Sequence, residues 1–291
     1  MSKVLVIIVT YNAHKWLRQC LDSVDTKRYD VLVVDNASTD DTLQILCEYP
    51  RTMVHKMEIN HGFGQANNVG FRYAIEYDYD YVLLLNQDAW LLPDTIDRLI
   101  AIQKQHPEYW ILSPMQWNTE RGGMEKQFKT YLPKFWREQT NELFEVPFVN
   151  AAIWLIPTSR VKMVGGFDPL FLHYGEDNDY VHRVHFYGGK VGIDVHAIAY
   201  HERECHSVID NNKLLYRTKL VYLNFLKNVN KSYIVNILML IGNSLKHQIK
   251  ALVRFRFHET IVYVTALHSC LKQSGNVYQH RITSMKIGAF L

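Results

Sequence analysis

The first 116 residues alternate short apolar runs with amphipathic stretches. The apolar runs are too short for typical helices, so they predict strands, and the run that ends before Asn86 predicts a fully buried strand. The predicted strands are residues 4–9, 31–34, 52–57, 81–85 and 110–115, and the predicted helices are 14–24, 40–47, 64–77 and 93–105. This βαβα order predicts a parallel sheet with helices on both faces, joined by right-handed crossovers.

The alternation is lost between residues 117 and 146, where charges are frequent and a turn is expected at Arg121-Gly122-Gly123. We expect this segment to be an excursion near the mouth of a site. Regular structure is predicted again at 146–157, with helices at 159–164 and from Glu176. Beyond about residue 210 the chain is helical and basic, which predicts a domain at 1–210 and a helical region at 211–291.

Composition narrows the class of protein. The 291 residues are 48% apolar and 21% charged, as in globular proteins, and the net charge of +3 is too small to indicate a nucleic-acid partner. Cys20, Cys47, Cys205 and Cys270 form no CxxC pair, so neither zinc nor a disulfide framework is indicated. The amino terminus runs straight into a predicted strand, so we expect no secretory leader. We therefore expect a cytoplasmic protein.

Asn86, Gln87 and Asp88 directly follow the buried strand at 81–85. The carboxyl ends of strands are where open α/β sheets bind ligands. A carboxylate there can hold Mg²⁺ or Mn²⁺ against the phosphates of a nucleotide. The alternative is that Asp88 caps the helix that begins at Pro93.

Polar residues also follow the first two strands: Thr10, Tyr11 and Asn12 after one, and Asp35 and Asn36 after the other. A carboxylate such as Asp35 can accept a hydrogen bond from the imide N–H of uracil or thymine. The alternative for Asp35 and Asn36 is an Asx-turn or a helix cap. No GxGxxG or GxxxxGK loop follows either strand, which argues against dinucleotide-binding and P-loop proteins.

Gly62 and Gly64 precede a helix that carries Asn67 and Asn68 in its first turns. Such glycines allow backbone N–H groups to approach a phosphate or sugar closely, and the amides offer further contacts. The alternative is a tight loop with incidental polar residues.

An acidic cluster, Glu176, Asp177 and Asp179, begins a later helix. It could supply a general base near a metal, although the helix dipole favours acidic residues in any first turn. His201 follows an apolar stretch and could give a nitrogen ligand to the metal, but a lone histidine is more often structural.

The order and spacing of these motifs resemble glycosyltransferase family 2, across roughly residues 3–206, and in particular its rhamnosyltransferase-like members from bacterial polysaccharide assembly. The motifs that carry the resemblance are Val9-Thr10-Tyr11-Asn12, Val33-Val34-Asp35-Asn36-Ala37-Ser38-Thr39-Asp40, Gly62-Phe63-Gly64 with Asn67-Asn68, Leu84-Leu85-Asn86-Gln87-Asp88, Gly165-Gly166-Phe167-Asp168 and Tyr174-Gly175-Glu176-Asp177-Asn178-Asp179.

The resemblance implies a GT-A fold, that is, a Rossmann-like, mostly parallel central sheet flanked by helices, here followed by a helical extension. It implies a nucleotide-binding half at about 1–116 and an acceptor-binding half at about 117–210. The implied activity is inverting transfer of a sugar from a UDP- or dTDP-linked donor to a glycan or lipid-linked acceptor in bacterial surface polysaccharide synthesis.

The resemblance also implies roles for individual residues. Thr10 and Tyr11 would line the nucleotide pocket and Asp35 would recognise the pyrimidine base. Asp88 corresponds to the last carboxylate of the family's DxD motif, and His201 to a position that helps hold the metal or diphosphate in some members. Asp177, next to Glu176, would be the base that deprotonates the acceptor hydroxyl. The remaining donor contacts would come from Asn12, Asn36, Gly62, Gly64, Asn67, Asn86 and Gln87.

One residue departs from the family pattern. Asn86 stands at the first position of DxD, and a single carboxylate implies weaker metal binding. On the acceptor side, Ala151 and Ala152 would leave room for a sugar and Trp154 would stack on it, or else Trp154 belongs to the core.

The segment 233–264 combines apolar residues with Lys246, Lys250, Arg254 and Arg256. Its apolar part at 233–245 is shorter than the ~20 residues of a membrane-spanning helix. Two arrangements stay open: peripheral contact with the inner face of the cytoplasmic membrane, or packing on the catalytic domain or on a second subunit as a homodimer.

Two other functions are open on the sequence. A sugar nucleotidyltransferase normally carries a Gly-rich basic loop after the first strand, where this chain has Thr10-Tyr11-Asn12-Ala13-His14. A catalytically idle sugar-nucleotide-binding or membrane-scaffold protein is favoured by Asn86 but disfavoured by Asp88 and the intact Glu176-Asp177 pair.

Overall fold

The computed structural model describes residues 2–119, 122–134, 136, 142–202 and 210–291. Within these residues the core is one ten-stranded mixed sheet. Its strands are β1 (Val4–Thr10), β2 (Asp30–Asp35), β3 (Thr52–Lys56), β4 (Tyr81–Leu85), β5 (Ala89–Leu91), β6 (Tyr109–Asn118), β7 (Gly123–Met124), β8 (Leu143–Glu145), β9 (Ile153–Pro157) and β10 (Lys190–His201).

The strand order is β3-β2-β1-β4-β9-β6-β10-β5, with β7 beside β6 and β8 beside β10. β3, β2, β1 and β4 are mutually parallel, as the βαβα pattern predicts. β9 then runs antiparallel between β4 and β6, and β10 is parallel to β6. The parallel half therefore brings the carboxyl ends of β1, β2 and β4 to one edge.

The helices are α1 (Leu17–Asp22), α2 (Thr42–Cys47), α3 (Gly62–Glu76), α4 (Thr95–Gln105), α5 (Thr158–Val164), α6 (Glu176–Phe186), α7 (Asn211–Lys227), α8 (Tyr233–Val253), α9 (Phe257–Lys272) and α10 (Ser274–Ser284), with a 3₁₀ turn at Phe128–Thr130. Alternate residues of β1 point to opposite faces. Val4, Val6 and Ile8 pack with α1, α2 and α4. Leu5 and Ile7 pack with α3, α5 and α6.

Helices α7–α10 form a compact unit with a core of their own, made by Tyr222, Leu226, Leu240, Ala266, Cys270 and Val277. This unit is joined to the sheet domain by buried polar contacts. Lys227 of α7 lies 2.7 Å from Asp168 Oδ2 and 3.1 Å from Asp179 Oδ1, and all three side chains are at most 1% exposed. Over the described ranges, no helix has the length and apolarity needed to cross a membrane.

Most predicted elements match the structure to within a few residues, but some features differ. The short strand β5 was not predicted, because three residues after a turn carry no periodicity. The described thiols Cys20, Cys47 and Cys270 are free. Cys205 and Arg121 of the predicted turn lie outside the described residues, whereas Gly122 in that turn has a positive φ of 61°.

Candidate active site

The ends of β1 and β2 are joined directly. Thr10 and Asp35 are register partners, and the Thr10 hydroxyl donates to Asp35 Oδ1 at 3.0 Å. The backbone N–H and the hydroxyl of Ser38 donate to the same carboxylate. Asp35 is 1% exposed, so in this structure it organises the turn after β2. Recognition of a pyrimidine by Asp35 stays a prediction and would use a lone pair that these donors leave free on Oδ2.

Two residues with positive φ fix the loops at this edge. Asn12 has φ 50° and Ala37 has φ 65°, a left-handed conformation that asparagine tolerates but that is unfavourable for alanine. The Asn12 side-chain oxygen accepts from the backbone N–H of Thr39, and the Asn12 N–H donates to Ser38 Oγ. The loops after β1 and β2 therefore hold each other in place.

Gln87 clamps the β4 end to the β1 end. Its Oε1 accepts from the backbone N–H of Tyr11 at 2.7 Å, and its Nε2 donates to the Tyr11 carbonyl at 3.2 Å. The amide predicted to contact the donor is thus engaged with the protein backbone. The Tyr11 side chain itself is 46% exposed, which leaves its ring available to stack on a base.

Asn36 links β2 to the loop before α3. Its Nδ2 donates to Asn60 Oδ1, and its Oδ1 accepts from the backbone N–H of His61. Gly62 also donates its backbone N–H to Asn60 Oδ1. Both polar atoms of the Asn36 side chain therefore have partners within the protein, and the residue is 2% exposed.

The two glycines allow close packing between protein segments. A Cβ at Gly62, where φ is 81°, would lie 1.8 Å from the Leu172 carbonyl oxygen, and one at Gly64 would lie 2.8 Å from Phe167 Cβ. The sequence predicts that the backbone at these glycines approaches a phosphate closely. In the structure it closely approaches residues 167–172 of the protein. This packing sets the amino terminus of α3 beside α6, because Glu176 Cβ would be 3.7 Å from a Cβ at Gly64. Contacts of the α3 N–H groups with a donor stay a prediction.

Asn67 and Asn68 are both buried. Asn67 Nδ2 returns to its own helix, at the Phe63 carbonyl. Asn68 accepts from the backbone N–H of Phe167 and donates to the carbonyls of Phe167 and Phe290. Asn68 therefore fixes the Gly165-Gly166-Phe167-Asp168 corner against the carboxyl-terminal segment.

Asp88 and His201 converge at the end of β4. His201 Nε2 lies 3.5 Å from Asp88 Oδ1, with His201 buried and the Asp88 side chain 27% exposed. β5 and β10 bring them together, because Ala89 pairs with His201 across this antiparallel ladder. The backbone of Asn86, which donates its N–H to the Ala152 carbonyl, begins the same turn.

A chain of hydrogen bonds sets the orientation of His201. The Ser113 hydroxyl donates to the Pro114 carbonyl and accepts from Gln116 Nε2 at 3.2 Å. Gln116 Oε1 therefore faces His201 Nδ1, at 3.2 Å, and accepts a hydrogen bond from its N–H. In the neutral ring the lone pair then lies on Nε2, directed at Asp88, as in a histidine that binds a metal.

The carboxylate of Asp88 and the imidazole of His201 fit a divalent cation that takes its other ligands from a bound substrate. No group of three or more His, Cys, Asp or Glu side chains suited to a metal occurs in the part of the chain that the structure describes. Asp88 and His201 supply one oxygen and one nitrogen, and Mg²⁺ or Mn²⁺ bound through few side chains takes further ligands from phosphates and water.

Glu176 and Asp177 begin α6, after Gly175 in the left-handed conformation. Burial raises the pKa of Glu176 to about 8, and the charge of Asp177 adds to the shift. Glu176 Oε2 has no hydrogen-bond partner, which agrees with a neutral acid. Asp177 is partly exposed and accepts from the N–H and the amide of Asn178. The two neighbouring carboxyl groups therefore differ in exposure, and the role of Asp177 as the base stays a prediction.

Trp154 is a core residue. Its side chain is fully buried on β9, where its ring lies 5.8 Å from Tyr180 and 6.3 Å from Phe167. Stacking of this ring on an acceptor sugar is therefore excluded in this structure, and the core alternative is correct. Ala151 and Ala152 are also buried, at 5% and 2% exposure, so they offer little surface to an acceptor.

Sequence reasoning missed three residues that shape the site: Ser38, Gln116 and Lys227. Ser38 lies within a quoted motif, and its place three residues after Asp35 could have indicated the turn. Gln116 and Lys227 carry no local signal, because their partners come from strands and helices that are distant in the chain.

Sequence comparison identifies relatives of known type. A model of glycosyl transferase family 2 matches residues 5–157, just over half of the chain. The chain is 30% identical over 143 residues to the poly(ribitol-phosphate) β-N-acetylglucosaminyltransferase TarS of Staphylococcus aureus, covering 46% of this chain and 24% of TarS. It is 28% identical over 220 residues to the N-acetylglucosaminyl-diphospho-decaprenol L-rhamnosyltransferase of Mycobacterium tuberculosis, covering 64% and 70%. The matched segment thus spans about a quarter of TarS.

Solved structures share the fold. Residues 1–349 of TarS in complex with UDP-GlcNAc align with a TM-score of 0.58 at 17% identity, over 97% of this chain and 89% of that one. The mannosyltransferase PcManGT of Pyrobaculum calidifontis, in complex with GDP-Man and Mn²⁺, aligns with a TM-score of 0.60 at 15% identity, over 95% and 78%. The fold is therefore the predicted GT-A fold. With the family model, it establishes that the chain belongs to glycosyl transferase family 2.

Proposed function

We propose that the protein is an inverting glycosyltransferase that acts in bacterial surface polysaccharide synthesis. It transfers a sugar from a UDP- or dTDP-linked donor to a glycan or a lipid-linked acceptor. The observation that carries this proposal is the convergence of Asp88 and His201 at the carboxyl edge of the parallel strands. The names of TarS and of the mycobacterial rhamnosyltransferase support a role in surface glycans.

The choice of donor rests on two lines of support. TarS has been solved with UDP-GlcNAc, and Asp35 keeps acceptor capacity beside the exposed ring of Tyr11. PcManGT, of the same fold, has been solved with GDP-Man, so the fold itself accepts a purine as well. Selectivity for a pyrimidine is therefore assigned to Asp35 and its loop.

The chemistry is a single displacement at the anomeric carbon. The acceptor hydroxyl forms a bond to that carbon and passes its proton to Asp177, while the bond from carbon to the diphosphate oxygen breaks and the nucleoside diphosphate leaves. Glu176, held neutral by burial, adds no charge beside the base. Attack from the face opposite the leaving group inverts the stereochemistry, and no covalent sugar–enzyme intermediate is formed.

Asp88 and His201 would hold a divalent metal, Mg²⁺ or Mn²⁺. When bound, such an ion supplies positive charge against the departing diphosphate. PcManGT was solved with Mn²⁺, which supports a metal in this fold. Asn86 in place of the first carboxylate predicts that the ion is held weakly without the nucleotide.

We also propose a role for each of three segments of the chain. Residues 1–116 bind the nucleotide, residues 117–210 face the acceptor, and residues 211–291 form the helical extension. We assign the protein to the cytoplasm, where nucleotide-sugar donors are made.

Calorimetric titration with UDP and dTDP, each with and without Mn²⁺, tests the proposal, with ADP and GDP as comparison ligands. We expect pyrimidine-selective binding that Mn²⁺ strengthens. Asp88→Ala should abolish the effect of Mn²⁺, whereas Asp94→Ala, an exposed acid six residues later, should keep it. Equal affinity for all four nucleotides would contradict the donor assignment, and binding that is indifferent to Mn²⁺ in the wild type would contradict the metal role.

A further inference from the structure

Charge is distributed very unevenly along this chain. Residues 211–291 contain twelve Lys or Arg residues and a single acidic residue, Glu259, whereas residues 1–210 contain twenty basic and twenty-eight acidic residues. The small net charge of the whole chain is therefore the sum of a strongly cationic helical unit and an acidic sheet domain. Such asymmetry between two parts of a chain indicates interaction with an anionic partner.

Helix α8 exposes a continuous apolar stripe. Five exposed side chains fall within about 60° of the helix circumference, at 100° per residue. They are Ile234, Leu238, Leu245, Ile249 and Leu252. The buried residues of α8 lie on the opposite side, where Asn236 donates to the Leu226 carbonyl and Leu240 joins the core of the helical unit.

Helix α9 continues this surface. Phe257, Ile261 and Val264 are exposed on one side, while Val262, Ala266 and Cys270 are buried on the other. The turn between α8 and α9 carries Phe255, which is 80% exposed and has a φ of 56°. Its ring contacts Phe257 edge to face, so two aromatic rings stand at the tip of the helical hairpin.

Cations without a carboxylate partner among the described residues lie to one side of the stripe on α8 and at the turn that follows this helix. Lys246, Lys250 and Arg254 are exposed, and no carboxylate of the described chain lies within ion-pair distance of them. Arg256 alone pairs with Glu259, at 3.0 Å. Lys250, Arg254 and Arg256 also line a cavity of about 280 Å³ beside the turn that joins α8 to α9.

We propose that the hairpin of α8 and α9 docks in the plane of an anionic lipid bilayer. The apolar stripe and the two phenylalanines enter the boundary between headgroups and acyl chains, and the flanking cations contact lipid phosphates. An arrangement of this kind lies on the membrane, and the buried face of α8 stays packed on α7. The inference does not depend on the transfer chemistry.

Charge decides between a membrane and a second copy of this chain. Two copies that met through this face would bring two cationic surfaces together, and like charges across an interface are unfavourable. An anionic bilayer instead gains attraction from each lysine and arginine near its surface. The bilayer is therefore the occupant that the observations favour.

Sedimentation with vesicles tests the proposal on the full chain. The vesicles are phosphatidylcholine alone, and phosphatidylcholine with about one third phosphatidylglycerol. We expect the wild type to sediment with the anionic vesicles and to be released by high salt. Leu238→Ser with Ile249→Ser, and separately Lys246→Gln with Lys250→Gln, should each weaken partitioning by at least about tenfold.

Matched controls are exposed residues on the sheet domain: Lys27→Gln with Lys104→Gln, and Tyr77→Ser. These variants should bind vesicles like the wild type, and circular dichroism should show all variants folded. Equal sedimentation with neutral and anionic vesicles, or wild-type binding by both hairpin variants, would overturn the proposal. So would analytical ultracentrifugation that finds a dimer which Leu238→Ser with Ile249→Ser dissociates, because the stripe would then be a subunit interface.

Discussion

Glu176 and Asp177 are neighbours in the chain, yet their surroundings separate their chemical roles. Glu176 turns into the packed region between α3 and α6, where burial disfavours its charge. Asp177 stays partly exposed, with its carboxylate fixed by Asn178. A base must be charged and reachable by the acceptor. Glu176 and Asp177 are both carboxylic acids, so it is their positions in the first turn of α6 that distinguish them.

The acidity of Glu176 predicts a dependence of stability on pH. Between its ordinary value of 4.5 and about 8, the folded protein keeps a proton that the unfolded chain has released. The free energy of unfolding therefore falls as pH rises through this window and levels off above it, by on the order of a few kcal/mol.

Glu176→Gln should remove this contribution. We expect the variant to melt several degrees above the wild type at pH 8 and close to it at pH 5, measured by calorimetry. The exposed Glu58→Gln serves as the control and should shift neither value. A melting difference between Glu176→Gln and the wild type that is the same at both pH values would refute the buried neutral acid.

At the scale of elements, the sheet edge was predictable because each strand shows its end in the sequence. Apolar runs stop abruptly at Thr10, Asp35 and Asn86, and all three ends meet at one edge in the structure. What those side chains contact was less predictable. Gln87 and Asn36 use their amides to fasten neighbouring loops, and a single sequence does not distinguish an amide that binds a ligand from one that binds the backbone.

Gln116 orients a residue of a neighbouring strand, a role that becomes visible only in the folded structure. It lies on β6 and holds His201 of β10, so its removal should leave the imidazole free to turn away from Asp88. We predict that Gln116→Leu weakens the Mn²⁺-dependent part of nucleotide affinity by about 10- to 100-fold. Calorimetry with and without Mn²⁺ measures this part.

Gln103→Leu is the matched control, because Gln103 is also a buried amide, with a hydrogen bond to Tyr81 far from the site. It should lower stability to a similar degree and leave the effect of Mn²⁺ intact. Equal losses of metal-dependent affinity in both variants would mean that Gln116 acts only through stability.

At the scale of the whole molecule, the helical unit and the sheet domain share a buried network of charges. Lys227 bridges Asp168 and Asp179, and its Nζ also donates to Ser284 Oγ of α10. Burial works against the charge of Asp179, but Lys227 and Arg183 outweigh it and hold its pKa below the ordinary value. Since Asp179 lies one turn after Glu176, the network fixes the helix that carries the proposed base.

Lys227→Met should therefore destabilise the protein by about 3–5 kcal/mol, because it leaves buried carboxylates without their partner. Chemical denaturation measures the change, and Arg217→Met, an exposed cation on the same helix, should change stability little. If Lys227→Met is as stable as Arg217→Met, the two parts of the chain are held together by other contacts.

The anomeric configuration of the product distinguishes an inverting transfer from a retaining one. Proton NMR can follow the slow transfer of sugar to water from an α-linked nucleotide sugar that calorimetry has shown to bind. We predict that the β-anomer forms first, that Asp177→Asn lowers the rate at least about 100-fold, and that Glu176→Gln keeps most of the rate. First formation of the α-anomer, or full turnover by Asp177→Asn, would contradict an inverting transfer with Asp177 as its base.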